Sequence, residues 1–223
     1  MVWEMIDWMN LFRRKSPTIT EEITEETPHG PHVVWLHGAN QTSNSFNYLR
    51  KCLPDWECTL VNYSSQNGFF ENLDIIVSEL DKEKPTFVIG HSMGGLYALH
   101  LTNHINVVGG VSISTPFRGS SMADWAKFVC PNYQLFRDVG KRSKPIQEAH
   151  KIEINVPWTQ IISTTGGVPY YSGPNDGVCT IEEMEHRKDM ELIHVPYTHY
   201  EVICADDVAE IIHEKYKVIV EKV

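Results

Sequence analysis

The 223-residue chain has few basic residues, few cysteines and no long hydrophobic run. Its 19 Lys and Arg face 29 Asp and Glu, which gives a formal net charge of −10. Nucleic-acid binding relies on basic surface that neutralises phosphates, so this balance argues against a nucleic-acid partner. It also disfavours docking on anionic membranes by electrostatics alone. Nothing in the sequence indicates an oligomeric state.

No apolar run approaches the ~20 residues that a membrane-spanning helix needs, so we expect no transmembrane segment. The first ten residues carry two acids and no Lys or Arg, whereas a signal peptide starts with a basic stretch. The five cysteines are an odd number and form no CxxC pair, which is typical of reduced thiols. We therefore expect a cytoplasmic protein, with transient contact at a lipid interface left open.

The sequence also lacks the common cofactor and metal motifs. It has no GxGxxG and no P-loop, so no nucleotide cofactor is expected. His100 and His104 are four residues apart, and His29 and His32 are three apart, but neither pair belongs to an HExxH motif or stands near a trio of carboxylates. We predict no cofactor and no metal.

From residue 33 onwards, apolar runs typical of buried strands alternate with helical patterns. The predicted strands are residues 33–36, 58–63, 86–89, 107–114, 158–163 and 191–195, and the predicted helices are residues 72–80, 94–104 and 206–218. Strands that alternate with helices imply crossover connections. The pattern therefore predicts an α/β fold with a mostly parallel central sheet of about six strands, flanked by helices.

Two segments do not follow this alternation of strands and helices. Residues 1–32 predict an N-terminal extension, with a helix over 1–16 and a possible edge strand over 18–24. That helix either packs on the body or, alternatively, meets lipid or covers a pocket. Residues 117–154 are rich in aromatic side chains, and an insertion of this length is typically helical and functional. The predicted core is therefore residues 33–116 and 155–223, interrupted by a cap.

The strongest local motif is Gly-His-Ser-Met-Gly-Gly at residues 90–95, between a predicted strand and a predicted helix. This is the setting in which GxSxG forms a nucleophile elbow. Gly90 and Gly94 lack the Cβ atoms that would obstruct so sharp a turn. The turn would raise the Ser92 hydroxyl above the sheet and aim the Met93 N–H at an oxyanion. The alternative is a glycine-rich turn with an incidental serine.

A second tight turn, His37-Gly38-Ala39-Asn40, directly follows the first predicted core strand. A backbone N–H in such a turn can donate to the same oxyanion as the elbow. We predict Ala39 as this donor, with Asn40 as the alternative. Taken alone, the pair His37-Gly38 would equally fit a plain turn after a strand.

A serine nucleophile needs a base, and the base needs an orienting acid. The chain order in this architecture is serine, acid, histidine. His199 follows the last predicted strand, which places it at the same sheet edge as Ser92. Asp176 lies on a loop after the strand at 158–163, although Asp-Gly is also a common turn pair. We predict Asp176 as the acid and His199 as the base.

These residues resemble the α/β-hydrolase superfamily, and within it the bacterial-type lipases and carboxylesterases, over about residues 33–217. The elbow, the His37-Gly38 turn, Asp176 and His199 carry the resemblance. Residues 114–120, Ser-Thr-Pro-Phe-Arg-Gly-Ser, are similar to a lipase segment that often has histidine where this chain has Phe117. The resemblance implies an α/β-hydrolase fold with a small helical cap.

The expected activity is hydrolysis of a small-molecule or lipid ester through an acyl-enzyme formed on Ser92. A thioesterase or acyltransferase would use the same triad, and a non-catalytic binding protein on this scaffold is a further alternative. The residues that we predict to line the substrate pocket are His37, Phe69, Phe117 and Trp125.

Overall fold

The structure is a computed structural model, and it describes residues 18–22, 30–169 and 173–222. The helix predicted over residues 1–16 lies outside these ranges. Strand β1 (Thr18–Glu22) corresponds to the edge strand predicted over residues 18–24 and ends two residues earlier. Among the described helices, none is long and apolar enough to cross a membrane.

Strands and helices alternate along most of the described chain. The further strands are β2 (His32–Leu36), β3 (Cys58–Asn62), β4 (Thr86–His91), β5 (Val107–Ile113), β6 (Trp158–Ser163) and β7 (Glu191–Val195). The helices are α1 (Asn47–Cys52), α2 (Phe69–Glu79), α3 (Met93–Leu101), α4 (Ser121–Val129), α5 (Gln134–Val139), α6 (Lys144–Ala149), α7 (Ile181–Met184) and α8 (Asp206–Val220). Short 3-10 helices cover Ser43–Phe46 and Glu201–Cys204.

The strands form one sheet in the order β1-β3-β2-β4-β5-β6-β7. Strands β2 to β7 are parallel to their neighbours, and β1 closes one edge antiparallel to β3. The prediction of a mostly parallel sheet of about six strands is confirmed, with β1 as a seventh strand. Because the carboxyl ends of the parallel strands share one edge, the loops after β2, β4, β6 and β7 converge there.

Helices cover both faces of the sheet, so strands β2 to β6 are buried on both sides, whereas β7 is partly exposed. Along β2, Val34 and Leu36 enter one hydrophobic cluster, whereas Val33 and Trp35 enter the other. Helices α2 and α3 pack in the first cluster, and α1 and α8 pack in the second. This two-sided burial explains why the strands read as continuous apolar runs instead of alternating patterns.

The predicted helix at 72–80 begins three residues earlier, at Phe69. The Phe69 backbone N–H, which has no partner inside the helix, donates to the Asp138 carboxylate over 3.0 Å. That partner lies 69 residues further along the chain. The spacing of apolar residues within the helix carries no information about such a distant contact.

Three short helices, α4, α5 and α6, fill the segment between β5 and β6 in which the sequence predicts a cap. Leu135 and Ile146 of this segment belong to the same hydrophobic cluster as α3. Buried Arg187 holds the end of the segment by donating to the carbonyl oxygens of Ala149 and Ile152, over 2.6 and 2.7 Å. The segment is thus attached on the α3 side of the sheet.

Candidate active site

Ser92 occupies the sharp turn between β4 and α3, with φ of 53° and ψ of −120°. This backbone conformation is strained for a residue with a side chain, and such strain clusters at functional sites. A Cβ on Gly94 would lie 1.9 Å from the Leu36 carbonyl oxygen, and one on Gly90 would lie 2.5 Å from the Gly94 carbonyl carbon. The turn therefore requires glycine at both positions.

The turn after β2 lies beside the elbow, since a Cβ on Gly38 would come within 3.3 Å of the Ser92 Cβ. Met93 is the first residue of α3, so its backbone N–H has no partner within the helix. Ala39 and Met93 line the same cavity as Ser92. The Asn40 N–H already donates to Ser65 Oγ over 3.0 Å, which favours Ala39 over Asn40 as an oxyanion donor.

His199 and Asp176 are brought together at the same edge of the sheet, and both are buried. His199 Nδ1 lies 2.6 Å from Asp176 Oδ2, and the His199 backbone N–H donates to the Asp176 carbonyl oxygen over 2.9 Å. Because a carboxylate accepts the Nδ1 proton, Nε2 of the neutral ring is left as the acceptor. This is the tautomer that a general base for a serine needs.

Asp176 accepts hydrogen bonds on both carboxylate oxygens. Oδ1 accepts the backbone N–H groups of Val178 and Cys179, over 2.9 and 2.7 Å, and Oδ2 also accepts the Ser163 hydroxyl over 2.6 Å. Burial opposes the charged form, but the hydrogen bonds from His199, Cys179 and Ser163 outweigh it and lower the pKa of Asp176. Asp176 is therefore held as a carboxylate.

Ser163, at the end of β6, is a functional candidate that sequence reasoning missed. Its single proton goes to Asp176, so Ser114 is the donor in the 2.6 Å bond between Ser114 Oγ and Ser163 Oγ. Ser114 follows β5 with a left-handed φ of 51°, and both serines are fully buried. Their position at the carboxyl ends of adjacent strands was the one available sequence signal.

His91, the residue before Ser92, links the elbow to the loop that carries His199. Its Nε2 lies 2.9 Å from the His199 carbonyl oxygen, its Nδ1 lies 3.1 Å from Gln41 Oε1, and its ring centroid is 4.9 Å from that of His199. Burial, followed by the nearby His199, lowers the pKa of His91 to about 3, so the ring is neutral. Its position inside the Gly-x-Ser-x-Gly motif was the signal for this role.

A cavity of about 340 Å³ opens over Ser92, a volume within the usual range of small-molecule sites. The core supplies part of its wall, and α4 and α5 supply much of the rest. Its lining residues are Ala39, Ser92, Met93, Pro116, Ser120, Met122, Ala123, Leu135, Phe136, Val139, Val168, Gly177, Val178 and Cys179. Most of these side chains are apolar, so the cavity suits an apolar group beside the Ser92 hydroxyl.

His37, which the sequence predicts in the pocket, is instead fully buried beneath the turn after β2. Its Nδ1 donates to the Gly38 carbonyl oxygen over 2.7 Å, and its Nε2 accepts the Tyr63 backbone N–H over 3.2 Å. Burial, partly offset by the Gly38 hydrogen bond, lowers the pKa of His37 to about 4. The neutral ring therefore stabilises the turn through its hydrogen bonds with the backbone of Gly38 and Tyr63.

The three aromatic residues predicted in the pocket also lie elsewhere. Phe69 stacks on Tyr97 with ring centroids 4.1 Å apart, and Phe117 is fully buried, with its carbonyl oxygen 2.7 Å from His150 Nε2. Trp125 is 64% exposed on the outer face of α4. None of the three lines the cavity over Ser92. An aromatic residue near a motif shows that a large side chain is present, but not the face to which it points.

Among the described residues, ligand-type atoms of Asp176, Cys179 and His199 lie within 4.8 Å of one another. Metal binding there would need a thiolate, but burial and then the neighbouring acids Asp176 and Glu183 raise the pKa of Cys179 well above its usual value. Asp176 is also fully engaged as an acceptor. The group fits an acid–base pair with a neutral thiol beside it better than a metal site.

The structure thus combines a parallel sheet, a strained serine after β4, and a histidine–aspartate pair on the loops after β7 and β6. The family model described as "Alpha/beta hydrolase family" matches residues 33–170. The chain therefore belongs to the α/β hydrolase family. A comparison of its sequence with curated proteins finds no match.

Solved structures share the fold at low sequence identity. The mature lipase BlEst2 of Bacillus licheniformis superposes with a TM-score of 0.66 at 12% identity, over 93% of this chain and 99% of that chain. A lipase-esterase related protein of Clostridium acetobutylicum superposes with a TM-score of 0.60 at 17% identity, over 90% of this chain and 100% of that chain. A haloalkane dehalogenase DbeA variant of Bradyrhizobium elkanii superposes with a TM-score of 0.62 at 13% identity, over 93% of this chain and 99% of that chain. Since these proteins have different names and reactions, the likeness shows the fold alone.

Proposed function

We propose that the protein is a serine hydrolase that cleaves carboxylic esters, with Ser92 as nucleophile, His199 as base and Asp176 as orienting acid. The observation that carries the proposal is the buried 2.6 Å contact between His199 Nδ1 and Asp176 Oδ2, on a loop packed against the residue before Ser92. This contact leaves Nε2 as the acceptor on the ring, and we propose that Nε2 faces the Ser92 hydroxyl.

In the first half-reaction, His199 Nε2 takes the Ser92 proton while Ser92 Oγ attacks the ester carbonyl carbon. The negative charge that forms on the carbonyl oxygen is stabilised by the backbone N–H groups of Met93 and Ala39. The tetrahedral intermediate then collapses, the alcohol leaves with the proton from His199, and Ser92 holds the acyl group.

In the second half-reaction, His199 removes a proton from water, and the resulting hydroxide attacks the acyl carbonyl carbon. Collapse of the second intermediate returns the proton to Ser92 and releases the carboxylic acid. Throughout, the Asp176 carboxylate fixes the ring orientation and stabilises the imidazolium that forms.

The cavity favours an acyl group with an apolar chain. Six cavity residues, among them Met122, Leu135 and Phe136, come from the segment 117–154, so we propose that this segment is a cap that selects the acyl chain. Hydrolysis of a thioester, or transfer of the acyl group to an alcohol, would require the same triad, so both reactions are tested together with ester hydrolysis.

The test is hydrolysis of p-nitrophenyl esters of increasing acyl length, with added arms for an acyl-thioester and for transfer to an alcohol. We expect ester hydrolysis that Ser92→Ala reduces at least about a thousandfold in kcat. Ser78→Ala, which removes an exposed hydroxyl from α2, is the matched control. Full activity in Ser92→Ala, or activity on thioesters alone, would contradict the proposal.

A further inference from the structure

Helix α4 turns an apolar face to solvent. Trp125, Phe128 and Val129 are 64%, 87% and 64% exposed, and they are half of the large apolar side chains that are exposed in the described parts of the chain. Their i, i+3 and i+4 spacing places them on one face, while Ala123 and Ala126 are buried on the other. We call these three exposed side chains the α4 patch.

The α4 patch lies next to the cavity over Ser92. Met122 and Ala123, on the same helix and within one turn of Trp125, line that cavity. Contiguous apolar surface of this kind marks an interaction site more often than a scattered exposed side chain does. A partner on the α4 patch would therefore sit beside the cavity.

Charge is unevenly distributed around this patch. Residues 117–154 contain seven Lys and Arg but four Asp and Glu, a formal charge of +3, whereas the remaining residues carry −13. Arg137, Arg142 and Lys144 are exposed in the segment. Arg137 Nε donates to the Pro131 carbonyl oxygen over 2.8 Å, two residues beyond the patch. Arg137 therefore lies beside the loop that follows the patch, and Arg142 and Lys144 belong to the same positively charged segment.

We propose that the α4 patch, with Arg137, Arg142 and Lys144, docks on an anionic lipid bilayer. The aromatic side chains would enter the boundary between headgroups and acyl chains, and the cations would meet lipid phosphates. The acidic remainder of the chain is repelled by the same surface, which orients the molecule with the cavity towards the lipid. The net charge of the whole chain suggests weak attraction to an anionic membrane. That total does not show that residues 117–154 are positive while the remaining residues are negative. The proposal concerns binding and does not depend on ester hydrolysis.

The experiment is co-sedimentation of the full chain with vesicles of phosphatidylcholine, either alone or mixed with phosphatidylglycerol. We expect binding to the anionic vesicles that weakens as salt is raised, and much weaker binding to the neutral vesicles. Phe128→Ser should lower affinity for the anionic vesicles by about tenfold or more. Val218→Ser, at an exposed apolar position on α8, should leave it unchanged.

The contribution of charge is tested with the double variant Arg142→Gln/Lys144→Gln. We expect a loss of about thirtyfold in affinity at low salt, since each cation near an anionic surface contributes about fivefold. The matched control is Lys51→Gln/Lys188→Gln, which removes two exposed cations elsewhere. Equal losses in the two double variants, or equal binding to neutral and anionic vesicles, would overturn the proposal.

A conservative variant separates insertion from misfolding. Trp125→Phe should keep vesicle binding but lose most of the blue shift in tryptophan emission that the anionic vesicles cause. Absence of vesicle binding by the wild type would overturn the proposal, as would binding that the Phe128→Ser change does not affect. A dimer that Phe128→Ser dissociates, without any vesicle binding, would assign the α4 patch to a second copy of the chain instead.

Discussion

Ser163 Oγ donates a 2.6 Å hydrogen bond to Asp176 Oδ2, the same oxygen that His199 Nδ1 contacts. Two backbone N–H groups hold the other carboxylate oxygen, so the carboxylate plane is fixed from both sides. The Ser114 hydroxyl donates a hydrogen bond to Ser163 Oγ and thereby fixes the direction of the Ser163 hydroxyl. We infer that Ser163 is a positioning residue, which acts on catalysis through Asp176.

Ser163→Ala should lower kcat by about tenfold and move the acidic limb of the kcat profile to higher pH. The reason is that one of the hydrogen bonds that lower the pKa of Asp176 is lost, so protonation removes the acceptor for His199 at a higher pH. The free energy of unfolding should fall by about 2 kcal/mol, because a buried hydrogen bond to a charged group is lost. Kinetics over a pH range and denaturant unfolding measure the two effects.

Loss of stability without any movement of the pH profile would show that Ser163 serves packing alone. Ser163→Thr, which keeps the hydroxyl, should restore the profile if the added methyl group is accommodated. Ser78→Ala again controls for removal of a serine hydroxyl.

The sheet and the elbow could be predicted because their signals are local. Buried parallel strands read as apolar runs, and Gly90 and Gly94 stand within two residues of Ser92. The pairing of Asp176 with His199 also followed from topology, since both were placed after strands whose ends share one edge.

The support of the site could not be predicted in the same way. Ser163 and His91 act through partners 13 and 108 residues away, and a serine or histidine at such positions has no distinctive local pattern. The pocket positions proposed for Phe69 and Phe117 rested on residue type, whereas burial within the core decided where these rings pack. The cavity walls came instead from α4 and α5, whose orientation depends on tertiary packing.

Gly94→Ala should destabilise the fold by at least about 3 kcal/mol, because the new Cβ would collide with the Leu36 backbone oxygen and one of the two elements must shift. Gly167→Ala is the control, since a Cβ there meets nothing within 4 Å. Chemical denaturation of both variants measures the difference. Equal stability of the two would show that the elbow is less closely packed against β2 than described.

Met122→Ala should shift the preferred acyl chain of the ester substrate to greater length. Met122 is partly exposed and lines the cavity, so its truncation enlarges the cavity at modest cost in stability. The ratio of kcat/KM for long and short p-nitrophenyl esters is the readout. Met190→Ala, which truncates a partly buried methionine away from the cavity, should keep the wild-type ratio. An unchanged ratio in both variants would remove α4 from the acyl site.

Asp138, on α5, should give the protein a pH-dependent stability. Burial raises its pKa from 3.8 to about 6, despite hydrogen bonds from Gln134 and the Phe69 N–H. The folded state therefore favours the protonated acid, and stability declines as pH rises from about 4 to about 6. Relative to Asp138→Asn, the free energy of unfolding of the wild type should fall by roughly 2–3 kcal/mol over this range.

Thermal or urea unfolding of the two proteins at several pH values measures this difference. Asp55→Asn, which changes an exposed acid, is the matched control variant. A wild type that gains stability relative to Asp138→Asn as pH rises would contradict the assigned direction.

We propose that His199 and Asp176 activate Ser92 as a nucleophile. Labelling with a fluorophosphonate, followed by peptide mass spectrometry, measures this activation, because the reagent reacts with an activated serine whatever the natural substrate is. We predict one adduct per chain, located on Ser92, absent from Ser92→Ala and formed at least about a hundredfold more slowly in His199→Ala. No adduct on the folded wild type, or an adduct on another residue that persists in Ser92→Ala, would contradict the account.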